Sequence, residues 1–185
     1  MASCVIELIG SPSVGKSTTA SQLFGALKSL GFNSELALEC IKPLVYKGIK
    51  ITPYTQYAIF GQEVAQLSNF FNKVKFIVSD SSPLLAAYYN YHYNNKDNSL
   101  SSACKGFYEK AKQDGVQVFN FFLPRKKAYN SLGRFQNEQQ ADQIAIELRE
   151  WLDAEGYSYS YLDCPDEDRV NRIIECLKGG GVLND

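Results

Sequence analysis

The chain has 185 residues, of which 45 % are hydrophobic and 21 % charged, and its formal net charge is −1. This length predicts one domain over residues 1–185 with a sizeable core. The net charge argues against a large surface that binds duplex DNA independently of sequence, although not against a local basic groove. No apolar run approaches the roughly 18 residues of a membrane span, and five scattered cysteines fit a reducing compartment, so we expect a cytoplasmic protein with no signal peptide and no membrane partner.

Short apolar runs alternate with helical patterns along the chain. The five predicted strands cover residues 4–9, 34–38, 75–79, 116–123 and 158–162. The six predicted helices cover residues 16–30, 53–72, 82–94, 99–114, 137–155 and 167–178. This alternation predicts an α/β fold of three layers, with a central, mostly parallel five-stranded sheet between helices.

The first predicted strand leads into a glycine loop that matches the phosphate-binding pattern G-x-x-x-x-G-K-[ST]. Glycines let successive backbone N–H groups point inward, the helix N-terminus adds partial positive charge, and Lys16 adds a full charge. Ser17 can place its hydroxyl on Mg²⁺. The motif therefore predicts ATP and Mg²⁺ as cofactors, with the nucleotide bound by Gly10, Ser11, Pro12, Ser13, Val14, Gly15, Lys16, Ser17 and Thr18.

The second predicted strand leads to Glu39, at the sheet edge where the glycine loop opens. Ligands of open parallel sheets bind outside the carboxyl ends of the strands, so Glu39 is a candidate site residue. The alternative is a helix-start carboxylate favoured by the helix dipole. The next segment, residues 41–52, carries Lys42, Lys47 and Lys50, and either lines an acceptor pocket or lies on the surface.

The helix predicted over residues 53–72 carries an apolar stripe, and we expect much of it to face the core. The stripe consists of Tyr54, Tyr57, Ala58, Phe60, Gly61, Val64, Leu67 and Phe71. Gln62 and Glu63 fall among these residues, and Gln62 is a candidate for a hydrogen bond to an acceptor ligand.

The third predicted strand is followed directly by Asp80. An apolar strand that ends in Asp is typical of the Walker B element, whose carboxylate holds Mg²⁺ or acts as a base. The alternative is that Asp80 or one of the two serines after it caps the helix that begins near Pro83. Both interpretations hold if Ser82 caps the helix and Asp80 faces the metal, so we expect Ser17 and Asp80 to be the metal-binding residues.

The fourth predicted strand is followed by a basic segment over residues 124–136. Arginines on a mobile loop neutralise a transferring phosphoryl group and exclude water when the loop closes. The segment therefore predicts a basic lid with Arg125 and Arg134 as catalytic residues, the alternative being a solvated basic loop. Asn137 and Gln140 have the spacing of a capping box for the next helix.

The last predicted strand leads into Asp163-Cys164-Pro165-Asp166, again at the carboxyl edge of the sheet. This position suits contact with an adenine base through backbone groups. Asp166 is also a good N-cap for the final predicted helix.

Together these motifs resemble the small P-loop kinases typified by the nicotinamide riboside kinase domain of bacterial NAD metabolism, a group that resembles deoxynucleoside and nucleotide kinases. They resemble still more closely the AAA-like P-loop proteins of bacteriophages, which would place the protein in the host cytoplasm. The resemblance covers nearly the whole chain. It rests on the glycine loop, Glu39, Asn72-Lys73 before the third strand, Asp80, and the lid with the helix start that follows it.

This resemblance implies ATP·Mg²⁺ on the P-loop and a small hydroxyl or phosphate acceptor between Glu39, Asp80 and the lid. It implies an ATP-dependent phosphotransferase acting on a nucleoside, a nucleotide or a related small molecule, with Lys16, Asp80, Glu39, Arg125 and Arg134 as catalytic residues. No acidic residue directly follows Asp80, as it does in hydrolytic Walker B pairs, which favours a transferase over a motor. Whether Asp80 or Glu39 is the base stays open at this point.

Two alternatives lead to different partners. In the first, the kinase acts on 5-hydroxymethyluracil bases in phage DNA, and a groove for the strand is formed by Lys42, Lys47, Lys50, Lys126 and Lys127. In the second, the chain is a non-catalytic switch whose lid responds to ATP. A monomer and a homodimer are both compatible with the sequence.

Overall fold

The structure is a computed structural model and describes residues 2–183. Five strands are present: β1 (Cys4–Ile9), β2 (Ser34–Ala37), β3 (Phe76–Ser79), β4 (Gln117–Phe122) and β5 (Ser160–Tyr161). Seven α-helices surround them within the described residues: α1 (Lys16–Ser29), α2 (Lys42–Tyr46), α3 (Pro53–Ser68), α4 (Pro83–Tyr93), α5 (Ser99–Gln113), α6 (Glu138–Glu155) and α7 (Arg169–Gly179).

The strands form one parallel sheet in the order β2-β3-β1-β4-β5. The central strand β1 pairs on one side with β3, from Cys4 opposite Phe76, and on the other with β4, from Cys4 opposite Gln117. Parallel strands need crossover connections, which the helices supply. The predicted three-layer α/β fold with a five-stranded parallel sheet is therefore confirmed.

The core explains why β1 is apolar throughout. Its alternate residues Cys4, Ile6 and Leu8 pack with α1 and α7 on one face of the sheet. Val5 and Ile9 pack on the other face, against α3 to α6. A strand buried on both faces reads as a continuous apolar run instead of an alternating one. Glu7 is the exception in this run, and it is fully buried.

The structure differs from the predicted elements mainly after β2 and around α3. A short helix, α2, lies within residues 41–52, to which the sequence analysis assigned no helix or strand, and α3 ends at Ser68 instead of residue 72. The early end has a local cause, because Asn72 adopts a left-handed backbone conformation with φ of 60° and its N–H donates to Ser3 Oγ, which turns the chain into β3.

The expected core stripe of α3 is wrong for four of its eight members, which are exposed, while Leu67 is buried and Phe60 and Phe71 pack against the core. Tyr54 is 87 % exposed and Tyr57 is 45 % exposed, whereas the buried residues are Gln56, Ile59, Glu63 and Leu67. The buried face of α3 borders a cavity as well as the core, so polar side chains lie inside and aromatic ones outside. Of the residues that the structure describes, none belongs to a helix long and apolar enough to cross a membrane.

Candidate active site

The glycine loop between β1 and α1 has the backbone conformation that its sequence demands. Gly10 has φ of 154°, and a Cβ at this position would lie 2.7 Å from the carbonyl oxygen of Leu123. Gly15 has φ of 95°, and a Cβ there would lie 3.0 Å from Lys127 Nζ and 3.2 Å from Arg169 Nη1. Conformation disfavours a side chain at both glycines, and at Gly10 the backbone of Leu123 leaves no space for one.

The N-terminus of α1 is open to a ligand. Its N-cap is Gly15, which has no side chain to cap the helix, so the first N–H groups of α1 are available to an anion among the residues 2–183 that the structure describes. Lys16 lies half-buried inside the loop, with Nζ 2.8 Å from Gly10 O and 3.2 Å from Ser11 O. A triphosphate would meet both the helix terminus and this ammonium group.

Two predicted carboxylates lie close to Lys16. Burial lowers the pKa of Lys16, and the carboxylates of Glu39 and Asp80 oppose this change. Burial also raises the pKa of Glu39, as does the nearby Asp80, while Lys16, Lys42 and Arg134 oppose the rise. The structure thus brings together Lys16, Glu39, Asp80 and Arg134, which the sequence analysis had selected from four separate segments.

The residues at Asp80 fit a magnesium ion. Asp80 is 4 % exposed, its Oδ1 has no hydrogen-bond partner among the described residues, and the Ser17 hydroxyl donates to its carboxylate. Burial raises the pKa of Asp80, while this hydrogen bond and the neighbouring Lys16 oppose the rise. A serine hydroxyl beside a buried carboxylate oxygen is a donor set that Mg²⁺ accepts in P-loop proteins. Ser82, not Asp80, caps α4, with its Oγ accepting from Leu84 N at 3.1 Å.

The segment predicted as a lid is an irregular loop that lies against the P-loop. Asn130 N donates to Ser13 Oγ at 2.9 Å, and a Cβ on Gly133 would lie 2.9 Å from Tyr46 Oη. Arg134 lines the cavity, and its Nη1 donates to Asn130 O and Leu132 O, both at 2.8 Å. Arg134 is therefore held at the site by its own loop.

The structure does not bring Arg125 to the same place. Its guanidinium donates to Glu138 Oε1 at 2.5 Å and to Asp142 Oδ1, both on α6, and it does not line the cavity that Arg134 lines. These charged hydrogen bonds from Arg125 to two carboxylates hold the start of the lid against α6.

A cavity of about 680 Å³ extends from the P-loop towards α3 and α4. It is bordered by the P-loop, Glu39, α2, the lid and the facing sides of α3 and α4. Sequence reasoning missed three buried polar residues that line it: Gln56, Glu63 and Asn90. Gln62, the residue of α3 predicted from the sequence to bind the acceptor, is exposed and does not line the cavity.

Glu63 is part of a buried polar network beneath the cavity. Its Oε1 accepts from Ser81 Oγ at 2.5 Å, and burial raises its pKa well above the ordinary value. On the other side of the β3–α4 turn, Glu7 accepts hydrogen bonds from Ser82 and from Tyr108, the latter at 2.7 Å and 2.8 Å. The turn that carries Asp80 is therefore held from both sides by buried carboxyl groups.

Arg169 is a second residue that the sequence analysis did not select. It is fully buried, and its guanidinium donates to Val14 O and to Pro124 O, both at 2.6 Å. It also forms an ion pair with Asp166 at 2.8 Å. Arg169 thus joins the P-loop to the root of the lid. The only signal in the sequence was the i,i+3 spacing of Asp166 and Arg169, which is common on helix surfaces.

The loop after β5 forms a separate pocket. Residues 163–167 line it together with Lys126 and Lys127, and Lys127 also lines the main cavity. Two more of the five lysines expected in a DNA groove, Lys42 and Lys50, line the main cavity. Lys126 pairs with Asp163, and Lys47 is exposed. These lysines are divided between the cavity and the surface.

The parallel sheet and the glycine loop with its open helix terminus define the α/β fold of P-loop nucleotide-binding proteins. Residues 5–171 match the family AAA_28, which is described as an AAA domain, and the chain belongs to that family. No curated protein sequence matches it.

Among solved structures, the chain is similar to deoxyadenosine kinase from M. mycoides, determined with the products dCMP and a flexible dCDP. The two share 16 % sequence identity, the TM-score is 0.57, and the match covers 95 % of this chain and 99 % of the other. At this identity the likeness establishes the fold. The expected P-loop α/β fold is confirmed, while the likeness to kinases, including nicotinamide riboside kinases and phage proteins, stays a prediction.

Proposed function

We propose that this protein transfers the γ-phosphoryl group of ATP to a small acceptor, a nucleoside or a nucleotide. The observation that carries the proposal is the continuity of one cavity from the P-loop to the facing sides of α3 and α4. A protein that only bound or hydrolysed ATP would need room for the phosphates and the adenosine, but not a further cavity between α3 and α4. The similar deoxyadenosine kinase structure, with its nucleotide products, supports a nucleoside or nucleotide as the acceptor.

ATP would bind with its phosphates on Gly10–Thr18. The open N-terminus of α1 and the Lys16 ammonium group face the place that the β- and γ-phosphates take. Ser17 and Asp80 would hold Mg²⁺, which supplies charge neutralisation to the phosphates when bound. The adenine would lie towards residues 163–167, which line the second pocket, and Lys127 borders both this pocket and the main cavity.

Glu39 is our choice for the base. It lines the cavity, while Asp80 lies deeper and accepts the hydrogen bond of Ser17. In the transfer, the acceptor oxygen forms a bond to the γ-phosphorus while the bond from that phosphorus to the bridging β-phosphate oxygen breaks and ADP leaves. Where the acceptor is a nucleoside hydroxyl, its proton passes to Glu39. The raised pKa of Glu39 makes it a better proton acceptor than an ordinary carboxylate.

The lid would complete the site. Arg134 neutralises charge on the transferring group, and the loop that carries it excludes water. Arg125, tied to α6, positions the lid instead of touching the phosphates.

The test is the fate of γ-labelled phosphate with a panel of acceptors. The panel contains nucleosides, nucleoside monophosphates, nicotinamide riboside, and DNA with normal or hydroxymethylated pyrimidines. Label on a nucleoside or nucleotide supports the proposal, and label on DNA would replace the small acceptor by a base in a strand. Free phosphate at the same rate with every acceptor would contradict transfer and favour a switch.

A further inference from the structure

The cavity is bordered in part by residues 41–53, by the lid and by the end of α4. These parts lie against one another, because a Cβ on Gly133 of the lid would lie 2.9 Å from Tyr46 Oη of α2, and Gln136 Nε2 donates to Tyr93 Oη of α4 at 3.2 Å. We call their exposed side, together with the start of α3, the rim. Its large exposed side chains are Tyr46, Ile49, Tyr54, Tyr93, Leu132 and Phe135.

The rim presents aromatic rings to solvent. Tyr54 is 87 % exposed, Tyr46 is 63 % exposed, and Tyr93 and Phe135 are 61 % and 50 % exposed. Only two other aromatic side chains among residues 2–183 are exposed. Single exposed apolar side chains are ordinary, but a group of them around one cavity indicates a binding surface.

The rim is also positively charged. Residues 40–62 and 124–137 contain no Asp or Glu, although the chain has 20 acidic residues and a net charge of −1. Lys47 is exposed and Lys50 lines the cavity, and neither forms an ion pair within the part of the chain that the structure describes. A cationic surface on a protein that is acidic overall favours an anionic partner.

Exposed rings beside cations match the two parts of a single nucleic acid strand. Lysine and arginine side chains bind its phosphates, and aromatic rings stack on its unpaired bases. In a duplex the bases are already stacked on one another. An anionic lipid surface or inorganic polyphosphate supplies the negative charge but has no base to stack on a tyrosine.

We infer that the rim binds single-stranded nucleic acid, whose bases stack on the exposed rings and whose phosphates contact the lysines. The bases lie on Tyr46, Tyr54 and Phe135, and the phosphates lie on Lys47 and Lys50. The inference goes beyond the proposed function, because a kinase of free nucleosides needs no such surface and strand binding requires no phosphoryl transfer.

The experiment measures the fluorescence anisotropy of a labelled oligothymidylate of about 12 nucleotides, with Mg²⁺ and a non-hydrolysable ATP analogue saturating the P-loop. We expect log Kd to rise with log salt concentration by about 0.7 for each phosphate contact. The unlabelled strand should displace the probe better than its duplex, inorganic polyphosphate or phosphatidylserine vesicles at the same concentration of negative charge. Equal or better displacement by any of these three, or no binding at about 50 mM salt, would overturn the inference.

Variants at exposed positions test the two kinds of contact separately. Tyr54→Ala should weaken strand binding at least about fivefold, whereas Tyr54→Phe should keep it, because the ring stacks and the hydroxyl does not. Lys47→Gln should lower the salt slope by about 0.7, whereas Lys28→Gln, at an exposed position of α1, should leave it unchanged. Unchanged binding by Tyr54→Ala would overturn stacking at the rim. Transfer of label to a nucleoside by a protein that binds no strand would overturn this inference and leave the proposed function intact.

Discussion

Replacing Arg169 by methionine should destabilise the protein substantially, although the residue lies on a helix that looks like a surface helix in the sequence. The side chain is fully buried, and its loss removes the donors to Val14 O and Pro124 O. A buried acceptor left unpaired costs about 1–3 kcal/mol, which applies in full to Val14 O. Pro124 is half-buried, so its carbonyl oxygen recovers some hydration. Asp166, the ion-pair partner, has a side chain that is 31 % exposed, but the oxygen that pairs with Arg169 is buried.

The expected loss of unfolding free energy is therefore about 2–4 kcal/mol. Urea denaturation with a fitted m-value measures it, and Arg172→Met is the matched control. Arg172 lies on the same helix, is 62 % exposed and pairs with Glu175, so its replacement should change stability by about 0.5 kcal/mol or less. A loss below about 1 kcal/mol for Arg169→Met, with an unchanged m-value, would refute the role of Arg169 in joining the P-loop to the lid.

Two further predictions concern Glu7 and the lid. Burial raises the pKa of Glu7 from 4.5 to about 7, so the folded protein keeps a proton there that the unfolded chain loses, and stability falls as pH rises from about 4.5 to 7. Unfolding curves across this range should show the advantage of the wild type over Glu7→Gln decreasing by about 3 kcal/mol, whereas parallel pH profiles would show that Glu7 is not responsible. Arg134→Ala should lower kcat by about 10²-fold with little change in the affinity for ATP, measured by steady-state kinetics and nucleotide titration, while an unchanged kcat would remove Arg134 from the transfer step.

The sequence was sufficient for the parts of the molecule whose chemistry is local. The P-loop follows from the spacing of Gly10, Gly15 and Lys16, because only that pattern combines the left-handed glycine, the open helix terminus and the ammonium group. The parallel sheet follows from apolar runs alternating with helices, and the positions of Glu39 and Asp80 follow from the rule that ligands bind at the carboxyl ends of strands.

Residues whose roles depend on packing could not be predicted in this way. On α3 the aromatic side chains of Tyr54 and Tyr57 face solvent, while Gln56 and Glu63 face inward, because the helix borders a cavity that a periodicity argument does not contain. In the sequence, Arg169 resembles an ordinary surface residue of a helix. Only the structure shows that it donates to Val14 O in the P-loop and to Pro124 O at the start of the lid.

The lid shows the same limit at the level of single residues. Arg125 and Arg134 are equivalent in the sequence, as two arginines on one loop after a strand. Only the structure distinguishes the two arginines. Arg125 forms ion pairs with Glu138 and Asp142 on α6, whereas Arg134 donates to backbone carbonyls of its own loop beside the cavity. Loop conformation depends on contacts with distant elements, which residue spacing does not contain.

The most direct test of phosphoryl transfer is to follow γ-labelled ATP with the wild type and with Lys16→Ala in the presence of the best acceptor. We predict that label appears on the acceptor in a one-to-one ratio with ADP, and that Lys16→Ala abolishes this transfer while its thermal unfolding shows a folded protein. Near-normal transfer by Lys16→Ala, or label found only as free phosphate in the wild type, would contradict the central claim.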